Sequence, residues 1–204
     1  MTIYIVISLI AYFIGSISFS VIFSRKFAGF DVRDKGSGNA GTTNVLRTVG
    51  KKVAALTLLC DILKGVLAIA IAAIASKIWT DVNLEILKYL AGFFAILGHT
   101  FPIFFEFRGG KGVATALGVL ITLNWKVGLI CLIFALILIA LTKMVSVGSI
   151  LSAILFPILM IFIGGARFES IIISVLIALL VIFNHRSNIK RIQNGTENKI
   201  SFKK

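Results

Sequence analysis

Residues 3–23 form an apolar run without a charged side chain, and this run restricts the chain to folds that a lipid bilayer can solvate. A helix of about 20 apolar residues spans a hydrocarbon core of about 30 Å. The whole chain of 204 residues is 58% hydrophobic and 14% charged, whereas soluble domains are about 45–50% apolar and about 25% charged. The composition therefore predicts an integral membrane protein, with residues 1–204 forming one transmembrane domain.

Seven apolar segments predict an all-α fold with about seven transmembrane helices. They are residues 3–23, 53–76, 86–105, 112–123, 127–142, 147–163 and 170–184. The fourth and seventh segments are shorter than the roughly 20 residues that a span needs, so we expect them to be tilted or partly sheltered. Five spans result instead if residues 112–142 form a re-entrant hairpin, and six would put the basic tail outside.

The distribution of basic residues predicts the orientation of these spans. An outside amino terminus places sixteen of the 21 Lys and Arg residues on the cytoplasmic side, including Lys203 and Lys204 in the tail; the others are Lys64, Lys77, Lys88, Lys126 and Arg167. Cytoplasmic loops carry an excess of Lys and Arg, so we predict an outside amino terminus and a cytoplasmic carboxyl terminus. The same bias accounts for the net charge of +13 without a nucleic-acid partner.

A glycine-rich polar segment of ten residues, 35–44, follows the first span, and Arg47 comes shortly after it. Its three glycines allow backbone N–H groups to approach a ligand closely, and such a loop can wrap an anion. Lys35 and Arg47 supply positive charge. A flexible turn is the alternative, but ten residues without an apolar side chain larger than Ala are unusual between spans. The candidate binding residues are Ser37, Asn39, Thr43, Asn44 and Arg47.

A second glycine-rich segment, Gly109-Gly110-Lys111-Gly112, directly precedes a predicted helix. The free N–H groups at a helix start bind phosphate, and a lysine adds a point charge. The segment is not a Walker A loop, because Gly112 replaces the Ser or Thr and the first glycine of that motif is missing. Without the glycines, Lys111 would be an ordinary interfacial anchor. We interpret the four residues, with His99 before them and Thr115 after them, as a phosphate site.

Further polar residues lie at the last span and inside earlier ones. If the last span continues as a helix, His185 and Asn188 lie on one face, and we treat them as candidate catalytic residues rather than as interfacial ones. Ser146 and Ser149 are candidate binding residues, although small residues also permit close helix packing. Asp61 and Lys64 are three residues apart in the second span and predict a structural ion pair, because an unpaired charge is costly in lipid.

Missing residues exclude several classes of site and enzyme. The two cysteines, Cys60 and Cys131, lie in apolar runs, and with only two histidines they predict neither a disulfide framework nor a metal site. A His-x4-Asp acyltransferase is excluded, because the residues five positions after the two histidines are Phe and Lys. No G-x-S-x-G nucleophile motif occurs either.

Together the motifs resemble the acyl-phosphate-dependent glycerol-3-phosphate acyltransferases of bacterial inner membranes. The resemblance rests on G-S-G-N-x-G-x-T-N at residues 36–44 with Arg47, on Gly98-His99, on G-G-K-G-V-A-T at residues 109–115, on the serines at 146 and 149, and on H-R-x-N-I-x-R-x-x-x-G-x-E at residues 185–197. These motifs cover the whole chain in the order of the family. Thr42 and Arg108, where the family more often has Ala and Lys, flank the motifs. The resemblance adds Glu197 as a supporting residue.

The resemblance implies transfer of a fatty acyl group from acyl phosphate to the 1-hydroxyl of sn-glycerol 3-phosphate. The products would be 1-acyl-sn-glycerol 3-phosphate and inorganic phosphate, in the first acylation of phospholipid synthesis. It also implies a cytoplasmic-side site in the inner membrane, no cofactor or metal, and transient contact with the soluble enzyme that makes acyl phosphate. The alternative is a transporter or channel for an organic phosphate, but transporters more often have paired repeats and broken helices at the midplane.

The attacking hydroxyl must lose its proton, and two acceptors remain open. His185 is the better side-chain base, because the unperturbed pKa of histidine lies near neutrality. A phosphoryl oxygen of the donor is the other acceptor, with His185 and Asn188 then orienting the glycerol; the scarcity of carboxylates slightly favours this substrate-assisted route. Ser37 as an acyl-enzyme nucleophile is the least favoured route, because no base stands beside it in the sequence.

Overall fold

The computed structural model describes residues 1–200 as ten α-helices with short connections, and contains no β-strand in that range. Residues 201–204 lie outside the described part, and with them Lys203 and Lys204 of the charge count. Contacts divide the chain into two compact units, Met1–Leu123 and Asn124–Lys204. The prediction of an all-α fold is confirmed.

The first unit contains six helices. They are α1 (Thr2–Gly15), α2 (Phe19–Ala28), α3 (Thr42–Thr48), α4 (Lys51–Ile78), α5 (Leu84–Thr100) and α6 (Val113–Leu123), with short 3-10 turns at Val32–Asp34 and Ile103–Phe105. Helix α5 packs against α1 and α4, and α6 packs against α4. At the α1–α5 contact a side chain on Gly15 or Gly98 would collide with the backbone of the facing helix. Small residues allow this close approach between helices in membranes.

The predicted first span is interrupted between α1 and α2 at residues 16–18. Lys64 of α4 donates a hydrogen bond from Nζ to the carbonyl oxygen of Ile17 at 2.8 Å. A break in a helix leaves backbone groups that need other partners, and the ammonium group of a distant helix supplies one here. The local sequence Ser-Ile-Ser contains no Pro or Gly, so it did not predict the break.

Asp61 and Lys64 form the buried ion pair that their spacing predicts. Lys64 Nζ lies 2.9 Å from Asp61 Oδ1, and the two residues are 3% and 1% exposed. Nδ1 of His99, near the end of α5, lies 3.5 Å from the same oxygen. This network therefore connects α4, α5 and the break between α1 and α2.

The second unit contains α7 (Trp125–Thr142), α8 (Val145–Phe162), α9 (Phe168–Asn184) and α10 (Arg186–Gln193). Helix α8 packs against both α7 and α9. Helices α9 and α10 meet at a bend of 57°, and His185 stands at the junction as the residue that ends α9 and begins α10. The last span therefore does not continue as one straight helix through His185 and Asn188, and the expectation of a continuous helix there is wrong.

Five of the described helical segments are long and apolar enough to cross a membrane. They are Thr2–Ala28, Lys51–Ile78, Leu84–Phe105, Trp125–Thr142 and Val145–Phe162, and the bent pair α9–α10 is a sixth if it counts as one span. Helix α6 has 11 residues, so it is about 16 Å long, roughly half of the hydrocarbon thickness. Seven spans, and the orientation of the termini, stay predictions.

The Asp61–Lys64 pair generates a prediction about stability. Lys64→Met leaves the Asp61 carboxylate buried without its cation, and removing one partner of a buried pair costs about 3–5 kcal/mol. We expect the double variant Asp61→Asn/Lys64→Met to unfold at a higher denaturant concentration than Lys64→Met alone, because no charge is then left unpaired. The measurement is the unfolding free energy of the purified protein in detergent micelles.

The matched control is Lys77→Met in the same helix, where the side chain is exposed. A surface substitution changes stability by about 0.5 kcal/mol or less. Equal losses for Lys64→Met and Lys77→Met would contradict the conclusion that the buried Asp61 carboxylate depends on Lys64 as its partner.

Candidate functional site

The loop between α2 and α3 is organised by the side chain of Asn44. Asn44 is 1% exposed; its Oδ1 accepts the backbone N–H of Ser37 at 2.9 Å, and its Nδ2 donates to the carbonyls of Val32 and Lys35 at 2.9 and 3.0 Å. Both polar groups of this side chain therefore fold the loop. Ligand binding by Asn44, one of the candidate binding residues, stays a prediction.

The other predicted residues of this loop lie nearer to the surface. Ser37 is exposed, with its backbone fixed by Asn44, and Asn39 and Thr43 are half-buried. Thr43 lies in the first turn of α3, and the exposed Arg47 follows one turn later. The loop thus presents small polar side chains and one guanidinium group at an accessible face of the first unit.

The second glycine-rich segment packs against the end of α5. The backbone N–H groups of Gly109 and Gly110 donate to the carbonyls of Thr100 and His99, each at 3.1 Å. A Cβ on Gly110 would lie under 3.0 Å from both His99 Nε2 and the carbonyl oxygen of Ala40. These two glycines therefore allow close packing, and their N–H groups donate within the protein; phosphate binding by this segment stays a prediction.

His99 and Thr115 both lie in the interior of the first unit. They are 6% and 0% exposed, and the His99 ring is placed between Asp61 on one side and Gly110 on the other. Thr115 lies in the first turn of α6. His99 thus packs beneath the second glycine-rich segment, whereas the carbonyl of Thr115 faces Gly65 of α4.

Asp31 and Arg33 form an ion pair beside these loops, and no sequence motif identifies it as part of a site. The Arg33 guanidinium donates to Asp31 from Nε and NH2, at 2.9 Å for NH2, and to the carbonyl of Phe105 from NH1 at 2.8 Å. Burial raises the pKa of Asp31, but the hydrogen bonds from Arg33 and Arg25 outweigh it and hold the pKa at about 2. From the sequence alone, this pair cannot be distinguished from ordinary charged residues at the end of a span.

In the second unit, Glu197 collects three side-chain donors. Its Oε1 accepts from Ser146 Oγ at 2.9 Å and from Asn188 Nδ2 at 2.7 Å, and its Oε2 accepts from Arg191 Nε at 2.9 Å. Burial raises the pKa of Glu197, but the hydrogen bonds from these donors outweigh it and hold the pKa below its usual value. Glu197 is therefore an ionised acceptor that fixes Asn188 and Ser146. No role was predicted for Arg191 from the sequence.

A reversal of the chain after α10 brings the residues of this cluster together. Gly195 has a left-handed φ of 69°, and the N–H of Ile200 donates to the carbonyl of Lys143 at 2.8 Å. The tail thereby returns to the start of α8, where Ser146 lies. Ser149 instead donates its hydroxyl to the carbonyl of Val145 at 2.9 Å, one turn back in its own helix.

His185 has a defined tautomer in this geometry. Its Nδ1 lies 2.7 Å from the carbonyl oxygen of Val181, and the residue is 3% exposed. A carbonyl oxygen only accepts hydrogen bonds, so Nδ1 carries the proton, and in the neutral form of the ring the lone pair is on Nε2. This tautomer suits proton acceptance at Nε2.

Each unit carries a polar cluster of its own. The first unit presents basic, polar loops suited to binding anions, and the second holds a buried imidazole and an amide fixed by a carboxylate, which can orient or accept a proton. Within residues 1–200, the His, Cys, Asp and Glu side chains form no group of three that could ligate a metal ion.

Comparison with known proteins identifies the family. Residues 5–195 match the family model described as glycerol-3-phosphate acyltransferase. The glycerol-3-phosphate acyltransferase of Clostridioides difficile is 44% identical over 98% of this chain and 97% of its own, and that of Shouchella clausii is 46% identical over 97% and 98%.

Two solved structures agree with these relatives. A crystal structure of PlsY, an integral membrane glycerol 3-phosphate acyltransferase, in its glycerol 3-phosphate form has a TM-score of 0.87 and 35% identity, with 97% of this chain and 96% of that chain covered. The lysophosphatidic acid form of PlsY has a TM-score of 0.84 and 33% identity, with 97% and 95% covered. This chain therefore belongs to the glycerol-3-phosphate acyltransferase family.

Proposed function

We propose that this glycerol-3-phosphate acyltransferase takes its acyl group from an acyl phosphate. The 1-hydroxyl oxygen of sn-glycerol 3-phosphate attacks the acyl carbonyl carbon, the bond from that carbon to the phosphate oxygen breaks, and inorganic phosphate leaves with the electron pair. The ester formed is 1-acyl-sn-glycerol 3-phosphate. The supporting observation is the loop of the first unit, whose small polar side chains and Arg47 stand at an accessible face of a lipid-soluble chain. An acyl phosphate is already activated, so the transfer needs no nucleotide.

In this proposal Arg47 and Lys111 neutralise the phosphate of glycerol 3-phosphate, and Ser37, Asn39 and Thr43 add hydrogen bonds. Asn44, Gly109 and Gly110 hold the loops, since their polar groups are used within the protein. A charge-assisted contact is worth about 1.5–3 kcal/mol, or about ten- to a hundredfold in an equilibrium constant. Replacing either cation therefore raises the concentration of glycerol 3-phosphate that the enzyme needs.

The reaction is tested with the purified full-length protein in lipid vesicles. Acyl phosphate and glycerol 3-phosphate should together release inorganic phosphate and form lysophosphatidate in equal amounts, and either substrate alone should give neither product. An acyl thioester of the same chain length serves as the control donor and should give no product. Turnover with the thioester but not with acyl phosphate would contradict the proposed donor, and uptake of a phosphate ester without turnover would support a transporter.

We further propose that the enzyme lies in the bacterial cytoplasmic membrane with seven spans and with both substrates bound from the cytoplasm. The basic residues support this orientation, because cytoplasmic loops are enriched in Lys and Arg. The short helix α6, counted as the fourth of these spans, packs against α4 and covers about half of the hydrocarbon depth by its own length. A water-soluble enzyme that makes acyl phosphate would reach this face as a transient partner.

Cysteine labelling tests the orientation. Cysteines placed at Ser37, Lys111 and His185 should be shielded from an impermeant thiol reagent in intact cells and become reactive, where they are exposed, in opened membranes. A cysteine at Lys126, which the orientation places outside, is the matched control and should react in intact cells. Labelling of the Ser37 position in intact cells would contradict the proposed topology.

For proton removal, we propose that His185 and Asn188 act at the attacking hydroxyl, with Glu197 and Ser146 holding Asn188. Two routes fit the tautomer of His185: its Nε2 takes the proton, or a phosphoryl oxygen of the donor takes it while the imidazole orients the glycerol. The anionic donor slightly favours the second route. No base accompanies Ser37 among the contacts of its loop, so an acyl-serine intermediate is not part of this mechanism.

A single-turnover pH–rate profile separates the two routes. If His185 is the base, His185→Gln removes the inflection near neutral pH and lowers the rate by about 10²–10⁴-fold. If the donor phosphate is the base, the inflection survives and the rate falls through poorer positioning. Arg186→Gln, one residue further on, is the matched control. Full activity of His185→Gln would contradict both routes.

A further inference from the structure

The turn between α5 and α6 contains two strained residues in succession. Glu106 and Phe107 have φ values of 59° and 56°, and the left-handed region is unfavourable for residues other than glycine, Asn and Asp. Such strain persists only where the surrounding structure holds it, and it is concentrated at functional positions. The residues that follow this turn lead directly to Lys111.

Arg33 holds the beginning of this turn from a segment that is 72 residues away in the sequence. Its NH1 donates to the carbonyl of Phe105 at 2.8 Å, and the same carbonyl accepts the N–H of Arg108 at 3.1 Å. The Arg33 side chain is 6% exposed, so its contacts are shielded from water. The carboxylate of Asp31 receives the other edge of the guanidinium.

The carboxylate that receives this guanidinium, Asp31, lies shortly before the first glycine-rich loop in the chain. The carbonyl of Val32, the residue before Arg33, accepts the Asn44 amide at 2.9 Å, and Asn44 in turn fixes the N–H of Ser37. Arg33 therefore contacts the chain just before each of the two segments that carry the proposed phosphate ligands.

We propose that Arg33 is a positioning residue: it fixes the strained turn that leads to Lys111 relative to the loop that carries Ser37, so that both can engage one phosphate. This rests on the proposed function of those two residues. A guanidinium group is required, because its planar fork reaches a carboxylate and a carbonyl at the same time, whereas an ammonium group is a single point charge. Arg33→Lys thus keeps the charge and loses the fork.

Arg25 provides a matched control. Its NH2 donates to Oδ2 of Asp31, as does NH2 of Arg33, at 2.8 Å, but its side chain is 57% exposed. Solvent-exposed ion pairs of this kind contribute little to the stability of the fold. A role of Arg33 in stability alone predicts that turnover changes only as far as the folded fraction does, whereas positioning predicts a change in the Michaelis constant for glycerol 3-phosphate.

The experiment measures turnover of the full-length protein in vesicles against glycerol 3-phosphate at saturating acyl phosphate. Arg33→Lys should raise KM for glycerol 3-phosphate about tenfold, and Arg25→Lys should leave it within about twofold. Thermal unfolding of each variant reports the folded fraction. If Arg33→Lys is not recovered folded, Asp31→Asn, which weakens the anchor of the same guanidinium, should raise KM in the same direction.

A double-mutant cycle shows whether Arg33 acts through Lys111. In a Lys111→Ala background, Arg33→Lys should change KM by less than about twofold, because interacting sites are not additive. The full effect persisting in that background would overturn the proposal, as would equal KM values for the Arg33→Lys and Arg25→Lys variants. Neither result would affect the proposed reaction, which fails only if the unmodified chain does not turn over acyl phosphate and glycerol 3-phosphate.

Discussion

A carboxylate buried in a membrane helix is the constraint around which the first unit is built. Asp61 is 1% exposed, and a lone charge in such a place is costly unless it is paired. Lys64 pairs with it, spends a further hydrogen bond on the Ile17 carbonyl, and so stabilises a break between α1 and α2. His99 approaches the same carboxylate oxygen from α5. Satisfying one charge thus connects α4 and α5 with the break between α1 and α2.

The second glycine-rich segment depends on this network through His99. The carbonyl of His99 accepts the N–H of Gly110, and the imidazole ring lies so close to Gly110 that no side chain fits there. The glycines of this segment are therefore needed for packing onto α5. Lys111 comes directly after them, so its position depends on a backbone that is held in place. A binding residue is useful only when its support is rigid, and here that support reaches down to Asp61.

A second buried carboxylate organises the second unit in the same physical way. Glu197 satisfies its two oxygens with Ser146, Asn188 and Arg191, and ionised acceptors make stronger hydrogen bonds than neutral ones. The pattern of motifs named Ser146, Asn188 and Glu197 separately. Only the reversal of the chain at Gly195 shows that they are one cluster, because no periodicity relates residue 146 to residue 197.

By itself the sequence determined that this protein is surrounded by lipid and which types of chemistry its polar residues can perform. Apolar runs such as residues 127–142 require lipid, and the Asp61–Lys64 spacing requires a pair on one helix face; both are local consequences of burial costs. The structure alone decided the roles of Asn44, Gly109 and Gly110, whose polar groups turn inward, and of Arg33, whose partner Phe105 is 72 residues away. It also decided the break after α1 and the bend at His185. Such contacts depend on which distant segments of the chain meet in space, and neither composition nor short-range spacing gives this information.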